Sequence, residues 1–335
     1  MKTSEVENAI IVILSFPDTI VRPAYWELSS RICPKIGIGT KHAIKAGHSA
    51  LLLIKKNEPE IRYFDFGRYM TSYGNGRVRS FETDPEIHIP LKACFKNNTL
   101  ANLDDVLLWL EKNPKKTHGE GRLIASINHQ INYNNAIKFI YNLIDKKEFP
   151  YGAFIKNGSN CARFVTDTII NSCTKKSIQL KLKSSYLLTP SPIGNILKGK
   201  TNKVVYYVKN QQIQEYKNRS ILKEHNAAFF KKLNSELNLI GTEFPDIETF
   251  NLKNGTWLPG IASGAWFKIE EKIDTLKYKI SRYSISGKKD FESVFITNNS
   301  SFNLSQKHDF IYPTNCKEMY IIQNNQEYIF KQVKP

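Results

Sequence analysis

The sequence predicts an α+β fold in which an antiparallel sheet packs on helices, followed by a small, mostly β domain. Two observations predict it. Over roughly the first 200 residues, strand-like apolar runs alternate with amphipathic helical segments, and later in the chain short strand-like runs dominate. A chain of 335 residues is long enough for about two domains. We therefore divide it into residues 1–200 and residues 201–335.

The chain opens with a predicted buried strand at residues 9–16, AIIVILSF. This apolar run is far too short to cross a bilayer. Acidic residues, Glu5 and Glu7, precede it where a secretory signal has basic ones, and no small-residue cleavage site follows. These features predict a cytoplasmic protein, with export by a route that needs no cleavable signal left open.

A β-hairpin is predicted next, from HSALLLI (48–54) and IRYFDF (61–66), which are separated by the polar segment KKNEPE. In the first strand, period-two alternation puts His48 on the same face as Ala50, Leu52 and Ile54. A two-residue turn at Lys56–Asn57 would place His48 directly across from Asp65, with the two Cβ atoms about 5 Å apart.

The segments between this hairpin and the middle of the chain predict two more strands and two helices. The strands are a short basic one in YGNGRVRSF (73–81) and GRLIASI (121–127). The first helix spans residues 102–113, with Asn102 as its cap and Leu103, Val106, Leu107 and Leu110 on one face. The second helix spans residues 132–147, with Ala136, Phe139, Ile140, Leu143 and Ile144 facing inward.

The last third of the chain has a different texture. A lysine-rich amphipathic helix is predicted at about residues 218–237. Five short strands follow, as expected for an antiparallel β unit: GAWFKIE (264–270), LKYKISRY (276–283), FESVFIT (291–297), MYIIQ (319–323) and EYIFKQV (327–333).

Composition excludes several classes of protein. The net charge is +17, but the basic runs are short and separated, and no nucleic-acid-binding signature occurs. We expect nonspecific attraction to anionic polymers or membrane surfaces and no specific nucleic-acid partner. The five cysteines are scattered without CxxC spacing, which favours free thiols over disulfides or structural zinc. No metal or organic cofactor is implied.

The stretch NGSNCARFVTD raises the possibility of a nucleophilic cysteine. Cys161 stands on the first turn of a predicted helix that Ser159 or Asn160 would cap. On that helix Cys161 shares a face with Val165, Thr168, Ile169 and Ser172. A helix N-terminus together with an imidazolium can bring a thiol pKa to roughly 4–7, and free N–H groups can cradle an oxyanion.

A catalytic thiol needs a base, and His48 is the histidine that opens an apolar strand directly after a glycine. Asp65 on the partner strand could accept the second imidazole N–H and fix the tautomer. His42 competes with His48 but lies in a loop. The non-catalytic alternatives are that Cys161 is a core residue, that His48 is solvated, and that Asp65 forms a salt bridge with Arg62 or Arg68.

These residues lie in a pattern that resembles the circularly permuted NlpC/P60 papain-like superfamily, which includes YiiX-type hydrolases and lecithin:retinol acyltransferase-like proteins. The pattern is a Gly-His pair opening an apolar strand, a partner strand with a polar residue, an amphipathic helix, PYG, and then NCARFVTD. The likeness covers roughly residues 9–175 and is strongest over residues 134–170. It does not extend to the last third of the chain.

The resemblance implies a permuted papain-like catalytic domain and a cysteine hydrolase, an amidase or peptidase, that forms an acyl-enzyme on an amide or ester bond. Cys161 matches the nucleophile, His48 the base and Asp65 the third member of the triad. The hairpin here is longer than is usual in the group, so Tyr63 or Glu60 could take the third place. Peptides, isopeptides and acyl amides are the substrates implied.

A long insertion between the hairpin and the Cys161 helix suggests substrate recognition. Its segment FGRYMTSYGNGRVRSFETD holds arginines, among them Arg79, that could bind a carboxylate or phosphate, although solvated loop charges explain them equally well. The substrate-binding candidates are Arg68, Tyr69, Asn75, Arg77 and Asn160. Two other functions remain open: acyl transfer to lipid or N-acyl substrates, and a non-enzymatic binding module that docks a protein partner through residues 201–335.

Overall fold

The computed structural model describes residues 7–97, 99–217, 220–229, 244–245, 250–261 and 263–333. It has the predicted α+β class, with two large antiparallel sheets. The first sheet has the strand order β10-β9-β7-β1-β2-β3-β4-β8. The strands up to β10 are β1 (Ala9–Phe16), β2 (His48–Lys55), β3 (Arg62–Gly67), β4 (Asn75–Arg79), β5 (Phe95–Lys96), β6 (Thr99–Leu100), β7 (Leu123–Ile131), β8 (Phe149–Pro150), β9 (Tyr206–Lys209) and β10 (Gln212–Glu215).

Helices cover both faces of this sheet. They are α1 (Leu28–Ile32), α2 (Leu103–Lys112), α3 (Pro114–Thr117), α4 (Tyr133–Ile144), α5 (Cys161–Ser172), α6 (Lys176–Lys183), α7 (Pro192–Gly199) and α8 (Ile221–Phe229). Short 3-10 helices span Cys33–Ile36, Pro85–Ile87 and Ser184–Leu187. No helix in the described ranges is long and apolar enough to cross a membrane.

Strands β1 and β2 form the buried centre of the sheet, and every residue of β1 is buried. Alternate residues of β1 point into different cores, as the two-residue period of a strand requires. Ile11 and Ile13 pack with α4, α5, α6 and α7, whereas Ile10, Val12 and Leu14 pack with α2. The continuous apolar run AIIVILSF is therefore explained by burial on both faces.

The predicted hairpin is confirmed, but its predicted register is wrong. Asp65 pairs with Ala50, and His48 pairs with Phe16 of β1 instead. The connection from Lys55 to Arg62 is longer than a two-residue turn, which shifts the pairing by two residues. Because side chains alternate with period two, a shift of two leaves His48 and Asp65 on one face of the sheet.

The two predicted helices before α5 are present, with one difference in capping. The predicted buried face of α2 is confirmed at all four positions. Asn102 stands at the N-cap of α2, but its side chain accepts from Cys94 N and donates to Lys92 O, each at 2.9 Å, and makes no cap bond. In α4, Ala136, Ile140 and Ile144 are buried, while Phe139 and Leu143 are half-buried.

The second sheet contains the five predicted strands, and its order is β11-β12-β13-β14-β17-β16-β15. Phe310 N donates to Thr256 Oγ1 at 3.1 Å, which joins the two edge strands and gives the sheet a barrel-like form. Its strands are β11 (Thr256–Leu258), β12 (Ala265–Lys272), β13 (Lys277–Tyr283), β14 (Lys289–Thr297), β15 (Asp309–Ile311), β16 (Glu318–Gln323) and β17 (Gln326–Gln332).

The region around residue 200 joins the first sheet. Strands β9 and β10 lie after that residue, yet β9 pairs with β7. The predicted helix at residues 218–237 is seen as α8, and its remainder lies outside the described residues. The division of the chain into residues 1–200 and 201–335 remains a prediction.

Candidate active site

Cys161 is the first residue of α5, and its thiol is half-buried. The cap is Asn160, whose Oδ1 accepts from Arg163 N at 2.8 Å, while Ser159 makes no cap bond. The chain enters this helix against β8, since Ser159 N donates to Pro150 O at 3.0 Å. A Cβ at Gly158 would lie 2.7 Å from that carbonyl oxygen, so this approach requires glycine.

His48 opens β2 and is buried, with its ring stacked on Phe16 at 6.3 Å. Its Nε2 lies 3.2 Å from Asp65 Oδ2, which leaves Nδ1 for the other side of the ring. The Cys161 thiol lies close enough to the imidazole to contribute to its pKa. Burial alone would lower the pKa of His48, but Asp65 and Cys161 outweigh it and raise the pKa to about 9.

Asp65 is completely buried and accepts hydrogen bonds from four side chains. Besides His48, Arg79 donates through Nε at 2.9 Å and Nη2 at 2.5 Å, and Tyr63 and Tyr69 each donate a hydroxyl at 3.0 Å. Burial favours the neutral acid, but the Arg79 charge and these bonds hold the pKa of Asp65 well below its usual range. The carboxylate is therefore ionised and fixed in orientation.

Three neighbouring strands place these groups. β2 carries His48, β3 carries Asp65, and β4 carries Arg79 directly opposite Asp65 in the ladder. The two alternatives for the third triad position make other contacts. The Tyr63 hydroxyl donates to Asp65 and to Thr117 O, and the Glu60 carboxylate accepts from Arg62 Nε at an exposed position. Of the three carboxyl and hydroxyl candidates, the structure brings Asp65 to the imidazole.

The other histidines near the site are arranged differently. His42 Nδ1 lies 3.3 Å from the hydroxyl of Tyr25, away from Asp65. The ring of His118 lies 5.3 Å from that of Tyr69. Burial, followed by the charge of Arg79, lowers the pKa of His118 to about 3, so this ring stays neutral. His118 follows α3 with a left-handed backbone, and no sequence pattern connects it with the site.

The predicted substrate-binding residues have different environments. Arg77 is buried and donates twice to Asp84 at 2.6 Å, and Tyr69 faces Asp65, so both are occupied by internal partners. Asn160 is used as the cap of α5. Arg68 and Asn75 line an open cavity of about 290 Å³ together with residues of the second sheet region.

Sequence reasoning missed the partner that dominates the environment of Asp65. The sequence groups Arg79 with the arginines that could bind a ligand, and it offers Arg62 or Arg68 as the partner of Asp65. The structure instead buries Arg79 completely against Asp65. Period-two spacing in GRVR places Arg77 and Arg79 on one strand face, and that signal could have indicated two inward-pointing arginines. In the described parts of the chain, no group of three or more His, Cys, Asp or Glu side chains could hold a metal ion.

Comparisons with known proteins cover both sheets. A family model described as "Type VI secretion system effector TseH-like" matches residues 11–178, which include His48, Asp65 and Cys161. A second model, the DUF6695 C-terminal domain, matches residues 255–333. A crystal structure of the type VI secretion system effector TseH is 14% identical, with 62% of this chain and 98% of that chain covered at a TM-score of 0.37. No curated protein matches.

Proposed function

The chain belongs to the type VI secretion system effector TseH-like family, and from that premise we propose that it is an effector with cysteine hydrolase activity of the papain-like, NlpC/P60 type. One observation carries the proposal. A buried histidine is hydrogen-bonded to an ionised carboxylate, and a cysteine at the first turn of a helix is close enough to contribute to the raised pKa of that histidine. This is the relation of nucleophile, base and orienting group that acyl transfer through a thiol requires.

In the proposed reaction the Cys161 thiolate attacks the carbonyl carbon of an amide, and backbone N–H groups at the start of α5 stabilise the oxyanion. The protonated His48 then donates its proton to the leaving amine as the C–N bond breaks. The neutral imidazole next takes a proton from water as the water oxygen attacks the thioester carbon. The C–S bond then breaks, which releases the acid and restores the Cys161 thiolate and the protonated His48. Asp65 keeps the ring oriented throughout.

The charge state of His48 suits this sequence of steps. With a pKa raised to about 9, the ring carries its proton at neutral pH and can act as the acid for the leaving group. Asp65 cannot be the proton donor, because Arg79 and two tyrosine hydroxyls hold it in the ionised form. The carboxylate therefore stabilises the imidazolium electrostatically.

Peptide, isopeptide and acyl-amide bonds are the substrates that we propose. We also propose that a type VI secretion system delivers the chain, as the description of the family indicates. A Cys161 sulfur far from both His48 and His42 would favour a non-enzymatic binding module. The contribution of Cys161 to the raised pKa of His48 supports the enzyme instead.

The test is alkylation of the full-length protein with iodoacetamide between about pH 5 and pH 9, with each cysteine followed by mass spectrometry. At about pH 6 an unperturbed thiol is less than about 1% thiolate. We expect Cys161 to react at least about tenfold faster than the exposed Cys94 at that pH. The substitution His48→Ala should remove most of this advantage.

The matched control is His42→Ala, which removes a histidine that contacts Tyr25 rather than Asp65. It should leave the alkylation of Cys161 unchanged. Alkylation of Cys161 no faster than that of Cys94 at pH 6, or a rate insensitive to His48→Ala, would refute the proposed activated thiol.

A further inference from the structure

Among the described residues, Arg68 differs from the other buried arginines in forming no ion pair with a carboxylate. The structure describes four buried arginine side chains, and three of them pair with carboxylates: Arg77 with Asp84, Arg79 with Asp65 and Arg282 with Glu86. Among the described residues, no carboxylate lies within 4.0 Å of the Arg68 guanidinium. A buried charge without a partner is costly, so a ligand is a natural source of the missing anion.

The protein holds the Arg68 guanidinium in place without neutralising it. Its Nη1 donates to Pro23 O at 3.3 Å, and its Nη2 donates to Arg22 O. Its central carbon lies 4.6 Å from the ring centre of Tyr151 and 5.8 Å from that of Trp26. Burial lowers the pKa of Arg68, and the nearby Arg22 acts in the same direction.

A second arginine lines the same cavity. Arg22 stacks on Tyr25 at 5.0 Å, and its buried Nε has no hydrogen-bond partner among the described residues. The acidic residue that interacts with Arg68 through charge is Glu27, whose carboxylate accepts from Phe154 N at 2.8 Å and forms no ion pair with either arginine. Two adjacent guanidinium groups thus face the cavity with net positive charge.

The cavity of about 290 Å³ is large enough for a small acidic group and opens to solvent. The N-terminal region contributes the arginines, Trp26, Ser72 and Asn75, and the second sheet region contributes Pro259, Gly260, Ile261 and Tyr312. Two bonds fix this second wall: Ile261 N donates to Arg68 O at 3.0 Å, and Tyr312 Oη donates to Pro259 O at 2.6 Å. The last third of the chain therefore completes the cavity.

Tyr151 connects the cavity with the candidate active site. Its ring packs on Arg68, and its hydroxyl group interacts electrostatically with Cys161. Tyr151 also precedes the turn that leads into α5, where its backbone bridges to Ser159. A ligand held by Arg68 would consequently lie in the neighbourhood of the thiol.

We propose that the cavity between Arg22 and Arg68 binds a carboxylate of the substrate, so that the hydrolase selects acidic peptides. The inference rests on the proposed function, because selection of a substrate presupposes a hydrolase. Binding of the carboxylate itself does not need a reactive thiol. A planar carboxylate fits the two-pronged donor geometry of a guanidinium, and the rings of Trp26 and Tyr151 lie beside the guanidinium of Arg68. The carboxylate is either the C-terminal one of a peptide or that of an acidic side chain.

The test measures binding to the full-length Cys161→Ala protein by isothermal titration calorimetry. The first pair of probes is N-acetyl-trialanine with a free C-terminal carboxylate and the same peptide as its carboxamide. The second pair is N-acetyl-Ala-Glu-Ala-amide and its Gln counterpart, which reports on a side-chain carboxylate. We expect the acid of one pair to bind at least about tenfold more tightly than its neutral partner, as a charge-assisted bond implies.

Arg68→Met should abolish this preference. The matched control is Arg62→Met, which removes a half-buried arginine that pairs with Glu60 outside this cavity, and it should preserve the preference. If Arg68→Met does not fold, Arg22→Met serves as the second variant and should reduce the preference, because the main-chain carbonyl that holds Arg68 is kept.

Equal affinity for acid and neutral probes in both pairs, or no binding at millimolar concentration, would overturn the inference. Inorganic phosphate binding more tightly than either acid would also overturn it, because the site would then be a phosphate site. These failures are distinct from failure of the proposed function, which shows as a Cys161 that alkylates no faster than Cys94 in the wild-type protein.

Discussion

Two neighbouring groups, Asp65 and Cys161, raise the pKa of the His48 imidazole. This pKa decides whether the ring carries the proton that the proposed reaction needs. Asp65 is ionised and hydrogen-bonded to the ring, and the nearby Cys161 contributes with Asp65 to the raised pKa of His48. Arg79 competes with His48 for the same carboxylate, so Asp65 is shared rather than dedicated to the imidazole. The raised pKa of His48 therefore depends on both neighbours.

This dependence predicts how stability changes with pH. The pKa of His48 is about 9 in the folded protein and near 6.5 in the unfolded chain. Because the folded state holds the proton more tightly, the stabilisation is complete below about pH 6.5 and is lost as the pH rises through about 9. The full effect is about 3 kcal/mol in the free energy of unfolding.

Urea unfolding of the wild type and of His48→Gln, repeated across this pH range, measures the effect. The difference in unfolding free energy between the two proteins should shrink as the pH rises through 9. NMR titration gives the direct value, and Cys161→Ala should lower the pKa of His48, because Cys161 is one of the two groups that raise it. An imidazole that titrates near 6.5 in the wild type contradicts the prediction.

At the residue scale, the sequence indicates the nucleophile and base because each follows a local signal. Cys161 follows a capping residue at a helix start, and His48 opens an apolar strand with clear alternation. The pairing of Asp65 with Arg79 has no such local signal, since the two residues lie on separate strands and meet only through the ladder. Their catalytic roles stay predictions until the alkylation test is made.

At the scale of elements, helix α5 and the hairpin make the site by meeting at their ends. The existence of the hairpin follows from two β-rich runs, but its register depends on the length of the turn between Lys55 and Arg62, which no apolar pattern encodes. A register that is wrong by two residues still leaves His48 and Asp65 on the same face of the sheet. A one-residue error would have sent His48 to the opposite side of the sheet.

Substitutions of Asn160, the cap of α5, can separate an effect on protein stability from an effect on the reactivity of Cys161. Asn160→Ala should cost about 1 kcal/mol of unfolding free energy, since Oδ1 no longer accepts from Arg163 N. Asn160→Asp keeps the acceptor and should change stability by only a few tenths of a kcal/mol, yet it puts a carboxylate beside Cys161. We therefore expect Asn160→Asp to slow the alkylation of Cys161 severalfold at about pH 6.

The control for this pair is Ser191→Ala, which removes the cap bond that Gly194 N donates to Ser191 Oγ at the start of α7. It should cost stability as Asn160→Ala does and leave the alkylation rate of Cys161 unchanged. If Ser191→Ala slows alkylation as much as Asn160→Asp, general loosening rather than local charge explains the effect.

At the scale of the whole molecule, the two sheets are joined by buried polar contacts as well as by packing. Arg282 of β13 donates to Glu86 in the 3-10 helix after β4, and Cys316 N donates to Thr83 O at 3.1 Å. Near these contacts lies the buried pair of Arg77 and Asp84. The bonds of Arg282 and Cys316 connect residues far apart in the sequence, which is why single-sequence patterns give the two sheets but not how they meet.

Because of these contacts, the attachment of the second sheet to the first is sensitive to a single carboxylate, that of Glu86. Among the described residues, Glu86→Gln leaves Asp290, at 3.9 Å, as the ion-pair partner of the buried Arg282. We expect a loss of about 3 kcal/mol in the free energy of unfolding, because a buried charge loses its close partner. The comparison is Glu58→Gln, which removes an exposed pair with Lys55 and should change stability little. Urea unfolding followed separately by circular dichroism and tryptophan fluorescence measures both, and equal small losses in the two variants would show that Arg282 is satisfied without Glu86.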